Sequence, residues 1–153
     1  MLARIVRSTA IVSTMLLCTA FTGSSALAAD DIIQLDVATA LSTPDAKADL
    51  DGSIKFYFGN KPHPSIVKHL GEGITNKKAN GVGRSSTKGC ERAFLDALIQ
   101  MQRRAKDLGG NAVININSYN KKHEVVIDTS VECHSGLLMA GVALKGEIVK
   151  LAE

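Results

Sequence analysis

The run from Gly89 to Leu151 constrains the fold more than any other part of the chain: an amphipathic helix, a Gly-Gly stop, then strands. Phe94, Leu98, Met101, Ala105 and Leu108 recur at spacings of four, three, four and three, which places them on one helical face. Arg92, Arg103 and Lys106 point largely elsewhere, so the spacing predicts a helix from about Cys90 to Leu108. Gly109-Gly110 offers the left-handed exit that ends helices. Ala112 to Tyr119 then reads as a strand, with Ala112, Ile114 and Ile116 facing one way and Asn115 and Asn117 the other. Asn120 to Lys122 is polar enough for a turn into a strand from Glu124 to Val131. Leu137 to Val149 reads as the last strand or a bent pair, with Gly141 and Gly146 as bulges or bends. One helix among several strands with short connections predicts an α+β class: a main amphipathic helix packed on a mostly antiparallel sheet.

The preceding residues are less regular. Ile32 to Val37 alternates weakly, as a first strand would. Thr43 can cap a helix, Pro44 suits its first position and Asp45 complements its dipole, so a short helix runs to about Leu50. Ser53 to Phe58 is rich in strand formers and ends in the turn chemistry of Gly59-Asn60. Pro62 and Pro64 favour extended or turn-like backbone. Ile66 to Lys78 reads as one or two short strands broken near Gly71 and Gly73, and Asn80 to Gly89 as a loop.

The first 28 residues read as an export signal. Arg4 and Arg7 form a positive start, Ile11 to Phe21 a short apolar run, and Ala26-Leu27-Ala28 a small-x-small cleavage pattern. Cleavage after Ala28 and a periplasmic location are expected. The apolar run is too short for a permanent membrane anchor, and Leu17 stands where lipidation of Cys18 would want a small residue. Residues 29–153 then form one α+β domain with a core unit at about 89–151. Removing the two signal arginines leaves 16 basic against 15 acidic residues, a balance with no global field for gripping nucleic acid or an acidic membrane. Cys90 and Cys133 remain as an even pair, which in an oxidising compartment reads as a disulfide. The sharper alternative is a redox thiol at Cys90, placed at a helix start where thiolates are favoured.

No catalytic constellation is visible. His63, His69, His123 and His134 lack metal-ligand spacing, no GxSxG elbow is present, and Gly81-Val82-Gly83-Arg84 lacks the phosphate-loop pattern, so no metal or cofactor is expected. Glu124, Asp128 and Glu132 fall at even spacing and read as the solvent face of one strand. The candidate binding residues are Lys77, Lys78 and Arg84 in a basic loop region, with Asn115, Asn117 and Tyr119 on a polar strand face that can line a groove.

Gly109-Gly110-Asn111-Ala112-Val113, a helix end running into a strand, resembles the small YbjQ-like domains catalogued as heavy-metal-binding. It also resembles the periplasmic domain of the Rcs outer-membrane stress-sensor lipoprotein, where cysteines likewise tie the strand region and a Cys-bearing segment leads into a Gly-rich last strand. The segments TPDAKADLDGSIKFYFG, TNKKAN and AGVALKG resemble small exported bacterial proteins of unknown role, some labelled excinuclease subunit. The signal peptide, and the absence of a nucleotide loop and of zinc-binding cysteine sets, speak against that label. The resemblance implies a non-catalytic envelope module, in maintenance or stress, that binds an envelope protein or a small ligand. The alternatives are a metal- or small-ligand-binding homo-oligomer and a hydrolase using His69 or His134.

Overall fold

The computed structural model describes residues 31–83 and 85–152, so the signal-peptide reading of residues 1–28 and its cleavage point lie outside the described residues. Strand β1 (Asp31–Asp36) ends in the residue that starts helix α1 (Val37–Leu41): Asp36 Oδ1 accepts the Thr39 N–H at 2.7 Å. That short helix was not foreseen. Helix α2 (Pro44–Asp49) follows the sequence rules, with Thr43 Oγ1 accepting the Ala46 N–H at 3.3 Å. Strand β2 (Lys55–Phe58) stops at Gly59, whose φ of +56° suits glycine. Then come β3 (Ile66–Asn80), α3 (Ser86–Asp107), β4 (Ala112–Asn120), β5 (His123–Val125), β6 (Ser130–Ser135) and β7 (Met139–Leu151).

Among the described residues seven strands form one sheet. The 15-residue β3 and 13-residue β7 pair antiparallel along their lengths as its spine. The other edge of β7 is shared: β6 takes its first residues and β4 the stretch from Leu144 to Val149. Strand β1 extends the sheet beyond β6, while β4 also carries β2 in parallel and β5 antiparallel. The fold is therefore a mixed α+β fold with one main helix on a mostly antiparallel sheet, as expected. On one face α3 buries Phe94, Leu98, Met101 and Ala105 against Val113, Ile116, Val142, Leu144 and Ile148. Each large apolar side chain buried this way contributes about 1.5–3 kcal/mol. Cys90 and Cys133 are joined, tying α3 to β6.

Several boundaries move, some for a local reason and some for a nonlocal one. Helix α3 starts at Ser86, not Cys90, because Ser85 Oγ accepts the Lys88 N–H at 3.3 Å. Cys90 thus stands one turn inside the helix, away from the terminal N–H groups invoked for a reactive thiol. Strand β3 is a single strand; its register slips between His69 and Gly71 but holds through Gly73, where the long ladder to β7 outweighs a weak strand former. The expected Glu124–Val131 strand is two pieces, β5 and β6. Between them Asp128 turns away to accept the Asn60 N–H at 2.8 Å, so Glu124, Asp128 and Glu132 do not share one strand face. Leu137 and Leu138 belong to a hairpin turn closed by the Gly136 N–H on Met139 O at 2.9 Å, not to the last strand.

The largest correction lies in β4. Asn115 adopts φ +50°, and the register to β7 shifts between Ile114 and Asn117. This bulge breaks the expected alternation. Val113 and Ile116 face α3, whereas Ala112 and Ile114 face the other way, in a small second cluster with Val149 and Leu151.

The β4–β5 connection holds a stabilising opportunity. Lys121 and Lys122 have φ of +49° and +66°, the pattern for which Asn-Gly is the preferred pair in two-residue hairpins. Lys121→Asn combined with Lys122→Gly is expected to raise stability by about 1 kcal/mol. A higher urea midpoint at unchanged m would show it.

Candidate functional site

Opposite α3, the middle of the sheet carries polar side chains arranged around Lys145. Strand alternation in β7 puts Lys145 and Glu147 on this face, since Leu144 and Ile148 face the helix. Register then sets Lys145 beside Ile74 of β3 and Asn117 of β4. Its Nζ lies 3.5 Å from Glu124 Oε2 and 3.6 Å from Glu72 Oε1, and 5.5 Å from the centre of the Tyr119 ring. Glu124 Oε1 accepts from Asn117 Nδ2 at 2.8 Å. Next along the strand, Glu147 accepts from Asn115 Nδ2 at 2.9 Å and lies 3.3 Å from His69 Nδ1.

Three of the sequence-derived candidates therefore meet here: Asn115, Asn117 and Tyr119. The bulge at Asn115 is what brings its amide to Glu147 while leaving Asn117 and Tyr119 on the same face. The side-chain oxygen Oδ1 of the buried Asn117 has no hydrogen-bond partner among the described residues, so the site holds one free buried acceptor.

The basic candidates disperse. Lys77 and Lys78 are neighbours on β3 and so point to opposite faces. Lys77 lines a groove with Arg92, Asp96 and Arg103 on the α3 side. Lys78 stands on the open face beside a depression of about 310 Å³ that it lines with Asn120, Lys121, His134 and Gly141. Arg84 lies outside the described residues. Sequence reasoning missed Lys145, Glu147, Glu72 and His69 as members of the cluster. The period-two pattern of Leu144-Lys145-Gly146-Glu147-Ile148 was the available signal for the first two.

Two further histidines have polar partners. His63 Nδ1 lies 2.8 Å from Pro64 O, and Asn120 Nδ2 lies 2.8 Å from His134 Nε2. Among the described residues no group of three or more His, Cys, Asp or Glu side chains is disposed to hold a metal ion, and no helix is long and apolar enough to cross a membrane.

The Asn117 hydrogen bond, aided by Lys145, holds the Glu124 carboxyl below its ordinary value. Glu124, then Glu72, raises Lys145 above the usual lysine range. Both shifts favour the ionised pair at neutral pH. A depressed carboxylate gives stability that is present above its unfolded pKa and lost as pH falls through the folded one. Glu124→Gln is thus expected to lower stability at neutral pH by on the order of 0.5 kcal/mol, the pair being solvent-screened. The deficit relative to wild type should begin to shrink near the ordinary glutamate value of 4.5 and vanish only once pH has fallen through the lowered folded value. Urea denaturation of both proteins from neutral to acidic pH measures it.

No protein-family model matches the chain, and none of the curated proteins compared with it matches.

Proposed function

We propose that the protein is an exported, periplasmic binding module of the cell envelope, of the YbjQ-like or Rcs-sensor-like kind, acting by binding rather than catalysis. One observation carries this reading: α3 covers one face of the sheet, while the opposite face presents a pre-arranged polar network around Lys145. Side chains fixed on strands by mutual hydrogen bonds form a surface that loses little entropy on binding. The charges point the same way. Glu124 is shifted down and Lys145 up, both away from neutrality, whereas proton transfer favours groups tuned toward it.

The test is a photo-crosslinking residue at Tyr119, on the polar face, against one at exposed Gln100 on α3, each in the exported protein. A discrete adduct from position 119 and none from position 100 is expected. Identical patterns from both positions would remove the reading. Recovery of the protein from the periplasmic fraction with Ala29 as its first residue tests the location.

A second reading, a ligand-binding homo-oligomer, is favoured by the outer edge of β3, to which no strand pairs among the described residues. Two copies pairing antiparallel about Thr75 would set Glu72 of each against Lys78 of the other, two favourable cross-strand pairs. Light scattering should then give twice the monomer mass; a strict monomer removes this reading.

A further inference from the structure

One end of the sheet combines exposed aliphatic side chains with unpaired cations. At the β6–β7 hairpin Leu137 is 89% exposed, Leu138 61% and Met139 45%, and Val82 of the β3–α3 connection is 61% exposed. These are not loose side chains on a slack loop. The Gly81 N–H donates to Leu138 O at 2.9 Å, the Val82 N–H to Asn80 Oδ1 at 2.9 Å, and the Gly136 N–H to Met139 O at 2.9 Å. The two turns are therefore latched together and present their apolar side chains from one place. Large exposed aliphatic side chains gathered on two joined turns in this way mark an interaction surface.

Beside it lies the depression between Lys78, Lys121 and His134, floored by the small residues Ala140, Gly141 and Ala143 and edged by Met139. Its lining includes no carboxylate. Among the described residues neither Lys78 nor Lys121 has a carboxylate within ion-pair distance, in contrast to Lys145, which has two. The open face is thus divided: in its middle Lys145 is taken up by Glu72 and Glu124, and its hairpin end keeps cations available to an outside anion.

We propose that this end docks on an anionic lipid bilayer, with Leu137, Leu138 and Met139 entering the boundary between headgroups and acyl chains while Lys78 and Lys121 meet lipid phosphates. The charge complementarity calls for an anion, and the adjacent aliphatic tip calls for an apolar layer at the same depth; an anionic bilayer supplies both at one interface. Lysine stems suit this position, because they lie along apolar material and leave the ammonium at the phosphate level. The contact is reversible, since so few apolar side chains cannot hold a protein permanently.

Co-sedimentation tests this with protein recovered after export, every variant carrying the same N-terminus, on phosphatidylcholine vesicles with and without phosphatidylglycerol. Binding to the anionic vesicles alone is expected, reversed by high salt. Each basic residue at such a surface accounts for about fivefold in partitioning, so Lys78→Glu with Lys121→Glu should weaken binding at least tenfold. Leu137→Asn with Leu138→Asn should weaken it comparably, and both pairs, being surface changes, should leave the thermal midpoint near wild type. Equal binding to both vesicle types, or variants that bind like wild type, overturns the proposal. So does inorganic phosphate that shifts the Lys78 and Lys121 amide resonances while vesicles leave the protein in solution, which would make the depression a soluble-anion site. The proposal deepens the envelope-module reading and rests on it for where such a bilayer is met. Vesicle failure with the position-119 adduct intact overturns the docking alone; loss of that adduct with vesicle binding intact overturns the other reading alone.

Discussion

Reducing the Cys90–Cys133 bond is expected to cost about 4 kcal/mol of stability, a large part of the roughly 5–15 kcal/mol that holds a typical domain folded. The bridge spans 43 residues in sequence, both cysteines are fully buried, and their Cα atoms lie 5.8 Å apart. Closing so long a loop removes much of the unfolded chain's freedom. The topology adds a local reason. Strand β6 meets β7 at only two positions, His134 with Gly141 and Ser135 with Ala140, yet it pairs with β1 over all six of that strand's residues. The β1–β6 ladder therefore joins the main sheet chiefly through a short seam, one hydrogen bond from the Glu132 N–H to Ser118 Oγ at 2.7 Å, the packing of Leu35 and Val131 into the core, and the disulfide. Urea unfolding with and without reductant should show the full loss. Hydrogen exchange in the reduced protein should show β1 and β6 opening before β3 and β7. An unchanged midpoint on reduction, or an intact mass equal to that of the dithiol, would sink the prediction.

What could be read from the chain was what local chemistry decides. The α3 periodicity and its exit are of that kind: the Gly110 N–H bonds Ala105 O at 2.8 Å and the Gly109 N–H bonds Lys106 O at 2.9 Å, the glycine-terminated end that Gly109-Gly110 foretold. The Thr43-Pro44 start of α2 is another. The even cysteine pair was legible because an expected export leaves just two cysteines, each with one possible partner. The candidate site was legible only in part. Asn115, Asn117 and Tyr119 could be grouped by strand alternation, but Lys145 could not be joined to Glu72 and Glu124. Those residues come from other strands, and register between distant segments is set by whole-sheet packing. Lys77 and Lys78 group with Arg84 by charge and nearness to the Asn80–Gly89 loop, but both lie on β3, where adjacency in sequence means separation in space. The bulge at Asn115 was hidden for the same reason. Its one local sign is Val113, an apolar residue on the side that alternation gives to Asn115 and Asn117, and only the strand opposite shows where the backbone departs from the pattern.

That opposing strand makes Gly146 the residue on which the polar face depends, and Gly146→Val is expected to destabilise the protein by about 3 kcal/mol. Because the bulge inserts one residue, Val113 and Ile116 both turn toward α3 and close over Gly146 from two sides. A β-carbon at Gly146 would lie 2.8 Å from Val113 Cγ1, 3.1 Å from Ile116 Cγ1 and 3.2 Å from Ile114 O. Two of these atoms belong to fully buried side chains and the third to backbone, so none can swing clear into solvent. Gly146→Ala should therefore already cost about 1–2 kcal/mol, although replacing a strand glycine normally helps. Gly141 is the control. Its nearest neighbours to an added β-carbon are 3.7 Å away, so Gly141→Ala should be neutral or stabilise by about 0.5 kcal/mol. The strain should also travel. Relaxing the bulge to admit the new carbon rotates the β4 residues that follow it, which separates Asn115 from Glu147 and Asn117 from Glu124. The Lys145 ε-proton resonances, shifted by the Tyr119 ring, report that movement directly. A Gly146→Ala protein that matches wild type in both urea midpoint and Lys145 shifts would mean that the bulge yields without cost. The polar face would then be held by its own hydrogen bonds alone, and its geometry would follow whatever binds it.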